Sequence, residues 1–355
     1  MIKEVFKQLW KDKFARIALI VLGLIYLALF FADFIAPYTK DFSDRTMAYV
    51  PPSKIFVIDE NGKLSKPYTY NYRRDFDGEN LKIIYSLDRS QKHYVKFFAQ
   101  GQPYKFLGLI PMKRHLITTD PDGRLFLLGT DINGRDVFSR LLFGGRISMT
   151  IGFLALFVLF PIGLLYGGIS GYFGGKVDSV MMRFAEAVMS IPSFYLLIIL
   201  ASVLPSGMTS IQRFMLIVII LALVGWAGFA RVVRGMVLSV KNQEFVQAAR
   251  SIGQSRLGII VKHILPQTTS FVIVAMTLSV PSYILSESGL SFLGLGIQQP
   301  DASWGNMLKE AQEFTNIISR PWLLTPGFLI FVAVLAFNLI GDTIRDVLDP
   351  KMDVR

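Results

Sequence analysis

The strongest constraint on this chain is a set of six apolar stretches, each about as long as a membrane span. A helix needs roughly 20 apolar residues to cross a hydrocarbon core about 30 Å thick. Of the 355 residues, 52% are hydrophobic, which is more than a soluble domain of this size needs for its core. The sequence therefore predicts an all-α polytopic membrane protein with six transmembrane helices. The stretches cover residues 16–36, 149–172, 188–205, 214–230, 268–287 and 323–341.

The distribution of Lys and Arg among the short links predicts the orientation of the spans. Sixteen of them lie in the N-terminus, the second-to-third link, the fourth-to-fifth link and the C-terminal tail. The other short links hold only Arg213, Lys309 and Arg320. We expect a multi-pass protein of the cell (inner) membrane. Because basic residues collect on the cytoplasmic side, both its termini should lie in the cytoplasm and residues 37–148 outside. Topology then explains the net charge of +11, and nucleic acid is not an expected partner.

The predicted spans contain no Asp, Glu or His near their middle. Asp33, Glu287 and Asp342 lie at span ends, where we expect them to be solvated at the interface. Because ionisable residues at mid-span mark proton relays, a proton-coupled carrier and a membrane enzyme are both disfavoured. No catalytic residue is predicted, and the absence of cysteine excludes thiol catalysis and Cys-ligated zinc.

A glycine-rich stretch at 167–178, GGISGYFGGKVD, has part of a phosphate-loop pattern. That pattern requires Gly, four residues, Gly-Lys and then Ser or Thr. Ser170 stands at the first position and Val177 at the last, so the match fails twice. The chain has no evident nucleotide site, and any ATP chemistry has to come from a partner.

Three glycines in the second span, Gly163, Gly167 and Gly171, recur every four residues. Small residues at this spacing let two membrane helices approach closely. We expect these glycines to pack against a neighbouring helix of the same bundle rather than to form a specific dimer seam.

The long segment between the first two spans is rich in Tyr, Phe, Lys and Asp. Runs such as YTYNY (68–72), KIIYSL (82–87) and HYVKFF (93–98) are typical of short strands. We therefore expect residues 37–127 to form a small, largely β extracytoplasmic domain, which either contacts a soluble partner or caps the outer mouth. His93 and His115 lack ligand-like spacing and are expected to be ordinary surface or packing residues.

The next segment, residues 128–148, reads LGTDINGRDVFSRLLFGGRIS. Phe138, Leu141 and Leu142 share one helical face, with Arg135 and Arg140 mostly off it. This pattern predicts a short amphipathic helix on the outer membrane surface. The alternative is a simple lead-in to the second span.

Between the fourth and fifth spans lies a basic, helix-like stretch, QAARSIGQSRLGIIVKHILP, at residues 247–266. Two amphipathic halves are predicted, separated by a turn at Gly253. Ser255 is a candidate N-cap for the second half, and Pro266 is expected to disturb the helix before the fifth span. The pattern alone leaves open whether this elbow docks on a partner or lies on lipid headgroups. The apolar positions are Phe245, Ala248, Ala249 and Ile252 in the first half, and Leu257, Ile260, Val261, Ile264 and Leu265 in the second.

The same stretch resembles the EAA loop of permease subunits in binding-protein-dependent ABC importers. QAARSIG, nine residues and HILP match that loop at Ala248, Ala249, Gly253, Leu265 and Pro266, and differ from it at Gln247 and His263. The HILP ending resembles the oligopeptide and dipeptide permease branch (C-type), as do segments 128–148, 289–308 and 337–350. The resemblance covers residues 1–36 and 128–355.

The resemblance implies the fold of a type I ABC importer permease. It divides the chain into the N-terminus with the first span (1–36), the insert (37–127), a permease core (128–341) with an EAA loop at 231–266, and a cytoplasmic tail (342–355). It implies that the loop is a coupling helix seated on an ATPase. The residues to which it assigns this role are Glu244, Gln247, Ala248, Ala249, Arg250, Gly253, Arg256, Leu265 and Pro266.

The resemblance also implies the partners and the solute. Two permease subunits would form the pathway, two cytoplasmic ATPases would bind ATP and Mg²⁺, and an extracytoplasmic solute-binding protein would deliver the solute. This chain would then hold no cofactor of its own. The expected solute is a di- or oligopeptide, with an oligosaccharide or nickel as alternatives for the same machinery. An ATP-independent secondary carrier or channel is the competing class.

Overall fold

The computed structural model describes residues 2–60, 62–78, 82–205 and 207–348. The chain divides into two compact units. The first, which we call the helical unit, comprises residues 1–22, 149–296 and 331–355; the second, the strand-bearing unit, comprises residues 23–148 and 297–330. Since residues 349–355 lie outside the described residues, the end of the predicted tail (342–355) does as well.

Helices make up most of the chain, and thirteen α-helices occur within the described residues. They are α1 (Ile2–Lys11), α2 (Lys13–Phe30), α3 (Ala32–Ile35), α4 (Val137–Phe173), α5 (Gly175–Met189), α6 (Ser193–Ser202), α7 (Ser210–Val240), α8 (Glu244–Ser251), α9 (Arg256–Ile259), α10 (Thr269–Phe292), α11 (Trp304–Leu308), α12 (Phe314–Ser319) and α13 (Thr325–Leu348).

Five helical runs in the described part of the chain are long and apolar enough to cross a membrane, and a bent pair brings the number up to six. The bent pair is α5 with α6, which meet at 78° where the sequence predicts a single third span at 188–205. Pro192 precedes α6, and because proline cannot continue a helical hydrogen-bond ladder, the bend falls there. The predicted tail begins within α13, which continues to Leu348.

The second span differs from its prediction, because α4 begins at Val137 and runs unbroken to Phe173. The expected separate amphipathic helix at 128–148 is therefore wrong, and its alternative, a lead-in to the span, describes the structure. Arg135 and Arg140 are only 7% and 4% exposed and do not face water. Both are held by the Asp131 carboxylate, with Arg135 Nε at 2.7 Å and Arg140 Nε at 3.4 Å. Sequence periodicity does not reveal this buried pairing.

The insert is largely β, as predicted, but its strands are longer than expected. β1 (Phe56–Ile58), β2 (Leu64–Asp77) and β3 (Lys82–Tyr94) form an antiparallel sheet in that order, and β4 (Lys96–Phe106) pairs with β5 (Ile110–Thr118) as a separate hairpin. Tyr72 and Tyr85 of the sheet pack in one cluster with Tyr38 and Phe126. His93 and His115 are buried, at 3% and 1% exposure, so they are packing residues and not surface residues.

Among the three acids expected at span ends, only Asp342 is exposed. The expectation of interfacial solvation is wrong for Glu287, which is fully buried in α10 and accepts a hydrogen bond from Ser291 Oγ at 2.6 Å. Asp33 is half-buried and pairs with Arg146, whose Nη2 lies 2.7 Å from its carboxylate. Both partners are side chains brought close by folding or by one helical turn, so hydropathy alone does not identify them.

Within the helical unit, α4 and α7 approach closely along the three glycines. A Cβ on Gly167 would lie 2.4 Å from the Ala230 carbonyl oxygen, and one on Gly171 would lie 2.8 Å from the Arg234 carbonyl oxygen. A Cβ on Gly163 would meet the ring of Phe229 at 2.5 Å. The partner of this glycine face is thus a helix of the same chain. We call this contact the glycine seam.

The seam predicts that adding one methyl group at Gly167 destabilises the helical unit. Gly167→Ala would force the α7 backbone away, and overpacking of this kind costs about 1–3 kcal/mol. Gly235→Ala is the matched control, because Gly235 is also helical but has open space where its Cβ would lie. It should be neutral or slightly stabilising, by about 0.5–1 kcal/mol. Thermal unfolding of the full chain in detergent measures both, and equal midpoints would contradict the seam.

A second prediction concerns Asp136, which precedes α4 and accepts hydrogen bonds from the Ser139 N–H at 2.7 Å and from its hydroxyl. Burial raises the pKa of its carboxyl to about 7. Between about pH 4 and pH 7 the folded state therefore holds a proton that the unfolded state releases, and this group's contribution to stability falls as pH rises through that window.

Asp136→Asn removes this titration while keeping an acceptor for Ser139. We expect the variant's unfolding midpoint to rise relative to the unsubstituted chain as pH increases from 5 to 8, measured by thermal unfolding in detergent. Asp122→Asn, in a loop of the same unit, is the control. Its unfolding midpoint, relative to that of the unsubstituted chain, should not change with pH. A difference for Asp136→Asn that does not depend on pH would show that the carboxyl titrates normally.

Candidate coupling site

The candidate site is the elbow, residues 244–266, which joins α7 to α10. Its first half is α8, which ends in a turn at Gly253 that supplies hydrogen-bond donors to the last carbonyl groups of the helix. Gly253 has φ of +76°, and its N–H donates to the Arg250 carbonyl at 3.0 Å, while the Gln254 N–H donates to the Ala249 carbonyl at 3.2 Å. This pair of bonds is the Schellman helix end. Positive φ favours glycine, so the predicted turn is present for the predicted reason.

The second half of the elbow begins at the predicted cap, because Ser255 Oγ accepts a hydrogen bond from the Gly258 N–H at 3.2 Å. As predicted, Pro266 disturbs the regular α-helix, although the helical run as a whole continues from Arg256 to Phe292. A π-helical turn (Ile260–Ile264) and a 3₁₀ turn (Leu265–Thr268) accommodate the proline between α9 and α10. The hydroxyls of Thr268 and Thr269 bond the carbonyls of Leu265 and Pro266, each at 2.7 Å.

The start of the EAA loop also differs from its predicted bound. Residues 231–240, assigned to the loop by resemblance, continue α7 to Val240. The link outside helices is therefore short, and α8 begins at Glu244. Glu244 lies in the first turn of α8 and is exposed, where its negative charge suits the positive end of the helix.

The inward face of the elbow packs on its own chain. Val246 and Ala249 are buried, at 0% and 3% exposure. They belong to a core with Val233 and Val237 of α7 and Tyr172 of α4, completed by Ile259, Ile260 and Ile264. Ala249, one of the residues to which the resemblance assigns ATPase coupling, thus packs on its own chain. Leu265 packs against the same core, and Pro266 is exposed.

A second apolar face of the elbow, next to the buried one, is exposed. Phe245 and Ile252 are 36% and 74% exposed, and Ala248 lies between them on the same face. Leu257 and Val261, in the second half, are 57% and 49% exposed. The sequence pattern merged these positions with Ala249 into one face, whereas the structure has two apolar faces on one short helix. We call the exposed one, Phe245, Ala248, Ile252, Leu257 and Val261, the outward face.

The two arginines of the elbow lie over aromatic rings at the end of α4. Arg250 is 4.9 Å from the ring centre of Tyr172, and its Nε donates to the Tyr172 hydroxyl at 3.1 Å. Arg256 lies 5.6 Å from the ring centre of Phe173. Together with Gln254 they line an open groove of about 440 Å³. Arginine over an aromatic face is held by cation–π attraction, so these side chains fasten the elbow to α4 while keeping a cationic surface.

The residues at which the elbow departs from the EAA pattern make local contacts. His263 Nε2 lies 2.7 Å from Gln254 Oε1 and therefore donates to it, which ties the second half to the turn. Gln247 is exposed, and its amide donates to the Asn242 carbonyl at 3.0 Å. Neither departure disrupts the elbow's geometry.

Sequence reasoning missed an ion pair next to the elbow. Arg234 Nε of α7 donates to Asp178 Oδ1 of α5 at 2.6 Å, and the Ser170 hydroxyl of α4 donates to the same carboxylate. Lys241 Nζ donates to the Gly171 carbonyl at 3.0 Å. The available signal was Asp178 itself, an acid in a predicted link whose only other charges before Glu186 are Lys176 and Arg183. These contacts join α4, α5 and α7 at the end of the bundle that carries the elbow.

Comparison with known proteins finds two matching families. Residues 160–354, more than half of the chain, match the family of binding-protein-dependent transport system inner membrane components. Residues 1–52 match the N-terminal transmembrane domain of oligopeptide transport permease C.

Curated relatives lie in the same group. The chain is 45% identical over 226 residues to a dipeptide transport system permease protein of Bacillus subtilis, covering 63% of this chain and 68% of the relative. It is 46% identical over 224 residues to an oligopeptide transport system permease protein of Haemophilus influenzae, covering 63% and 70%. It is 42% identical over 224 residues to a glutathione transport system permease protein of Escherichia coli, covering 63% and 72%. With its apolar helices and its elbow, this chain belongs to the family of inner membrane permease components of binding-protein-dependent transport systems.

Proposed function

We propose that this protein is the permease subunit of an ATP-driven, binding-protein-dependent importer and forms half of the translocation pathway for di- or oligopeptides. A cytoplasmic ATPase docks on the outward face of the elbow. The observation that supports this most directly is the second apolar face of α8. Since Val246 and Ala249 already bury the first face in the subunit, Phe245, Ala248 and Ile252 remain for a partner.

A partner groove suits this face better than a lipid surface does. An interfacial helix extends its basic side chains toward headgroups beside its apolar face. Here Arg250 and Arg256 turn back onto Tyr172 and Phe173. The outward face is also narrow at Ala248, which admits the wall of a groove. We therefore favour docking over an elbow lying on the membrane.

Coupling follows from how firmly the elbow is attached. Closure of the ATPases on ATP would displace a rigid helix, because α8 is locked by the Gly253 turn and by its buried face. The displacement would reach α10 through the continuous run from Arg256, and α7 through Val233 and Val237. The glycine seam would then carry it to α4. A rigid element with two positions, biased by a ligand, is what such a switch requires.

The partners and the solute follow from the family. A homologous second permease subunit would complete the pathway, two ATPase subunits would bind ATP and Mg²⁺, and an extracytoplasmic solute-binding protein would deliver the solute. The relatives are named as dipeptide, oligopeptide and glutathione transport permeases. Their names support a peptide as the solute over the alternatives of an oligosaccharide or nickel. A secondary carrier is the competing class, and it predicts uptake without any ATPase.

The docking proposal predicts that a charge on the outward face uncouples the subunit. Ile252→Glu would place a carboxylate in an interface that excludes water, so we expect ATPase binding to weaken about tenfold or more. ATP-dependent peptide uptake in proteoliposomes should fall with it. Binding of purified ATPase subunits to the full chain in nanodiscs is the measurement, with uptake as the second readout.

Two variants control this experiment. Ile252→Met keeps an apolar side chain at the same place and should bind ATPase normally. Leu64→Glu adds the same charge to an equally open apolar position in the insert, where Leu64 is 89% exposed, and should also bind normally. Full ATPase binding and uptake by Ile252→Glu would contradict docking at the outward face. Peptide uptake by this chain without any ATPase would favour a secondary carrier.

The proposed orientation has a separate test, because the chain has no cysteine of its own. Ser251→Cys on exposed α8 should react with an impermeant maleimide only from the cytoplasmic side. Leu64→Cys in the insert should react only from outside. Ser251 is preferable to Ser255, since Ser255 caps α9. Labelling of both positions from one side would overturn the topology.

A further inference from the structure

The β4–β5 hairpin ends in a tip that is too apolar for a loop in water. The tip comprises residues 106–110, Phe-Leu-Gly-Leu-Ile. Leu109 is 81% exposed, Ile110 57% and Leu107 45%. Contiguous exposed apolar side chains mark surfaces that contact a partner or a membrane, and a two-stranded hairpin is marginally stable alone. The tip therefore needs something apolar to cover it.

Backbone strain at the tip points to a use for its side chains. Leu107 and Gly108 both have positive φ, of 51° and 76°. Asn, Asp or Gly normally occupies both positions of such a turn, because positive φ brings Cβ too close to the following carbonyl oxygen for other residues. A leucine held in this conformation costs about 1–2 kcal/mol. Its presence indicates that an apolar side chain is required at the apex.

The turn's N–H groups are satisfied without water. Gly108 N donates to the Lys105 carbonyl and Leu109 N to the Phe106 carbonyl, each at 3.0 Å. Leu107 N donates to Asp33 Oδ2 at 3.1 Å. In an apolar medium every unsatisfied backbone group costs several kcal/mol. These three donors can therefore leave water at little cost, whereas a loop hydrated at its N–H groups cannot.

The tip is continuous with the surface of the first span. The Phe106 ring lies 5.8 Å from that of Phe30 and 5.9 Å from that of Phe31, at the end of α2. Between span and hairpin lies an apolar groove of about 600 Å³, which Leu24, Leu27, Met112 and Leu116 help to line. The tip therefore lies beside the last turn of α2, within the apolar stretch 16–36 that is predicted to span the membrane.

Charge above the tip suits lipid headgroups. Lys105 and Lys113 flank the apolar residues on the two strands and are both exposed. Lys105, Lys113 and Arg146 line one pocket, in which Arg146 is paired with Asp33 at 2.7 Å. Tyr104 stands beside Lys105, and its hydroxyl donates to the Arg114 carbonyl at 2.7 Å. Tyrosine and basic residues next to an apolar segment are typical of a membrane interface.

We propose that the hairpin tip is a membrane anchor. It inserts Leu107, Leu109 and Ile110 into the leaflet at the end of the first span that leads into the insert, with Lys105 and Lys113 at the phosphate level. The occupant of this apolar surface is the lipid acyl region and not a soluble protein. The anchor fixes the hairpin beside α2, and its existence does not depend on the proposed solute or on ATPase docking.

The test compares two leucines of the insert in the full chain reconstituted in lipid nanodiscs. Leu109→Cys and Leu64→Cys each carry a nitroxide label; Leu64, 89% exposed, lies at the start of β2. Molecular oxygen concentrates in lipid, and a soluble nickel chelate stays in water. The label at 109 should collide several-fold more with oxygen than with the chelate, and the label at 64 should show the reverse.

Three results would overturn the anchor. Chelate access at 109 equal to that at 64 would place the tip in water. Shielding from both reagents would mean that protein covers it.

If Leu109→Cys fails to fold, as judged by its unfolding midpoint, Ile110→Cys replaces it. Quenching of a fluorophore at either position by lipids brominated near the headgroup is the independent readout, and its absence counts against the proposal.

Discussion

Close backbone contact between α4 and α7 is the constraint on which the helical unit depends. The glycine seam leaves no room for a methyl group at Gly167 or Gly171. Without a hydrophobic driving force between helices in lipid, such contact is the main source of attraction between them. It fixes the register of α7, and the register fixes where Val233 and Val237 lie. Val246 and Ala249 pack against those two side chains, so the position of the elbow depends on the seam.

Polar contacts at the end of the seam hold the same register. The Asp178–Arg234 pair and the Lys241 bond to the Gly171 carbonyl join α5, α7 and α4 next to the elbow. Arg250 adds a bond to Tyr172 at the end of α4. Under the proposed coupling, an elbow held by its buried face and by Arg250 would move as one body and transmit a push from the outward face.

The sequence predicts the parts of this structure that depend on local chemistry. The apolar stretches give the spans, Gly253 gives the turn, and Ser255 gives the cap, because each depends on one residue's own conformation or donors. It does not predict which of two adjacent alanines faces inward, since Ala248 and Ala249 differ only in what α7 places beside them. The sequence pattern likewise predicts Arg135 and Arg140 at the surface. Their burial depends on pairing with Asp131, which comes close to them only when the loop before α4 folds. The 78° bend between α5 and α6 is not predicted, because hydropathy measures apolarity and does not detect a change of direction.

One physical requirement connects the elbow with the insert. Irregular backbone near a bilayer persists only where its polar groups have partners within the protein. Where the elbow joins α10, the hydroxyls of Thr268 and Thr269 donate to the carbonyls of Leu265 and Pro266. In the strand-bearing unit, the Asp33 carboxylate accepts from both the Leu107 N–H and Arg146, and Arg146 in turn donates to the Leu29 and Phe30 carbonyls at the end of α2. An acid at a span end therefore serves as a junction for span, helix and hairpin. This explains why an insert with a strained, apolar tip can be held against the first span.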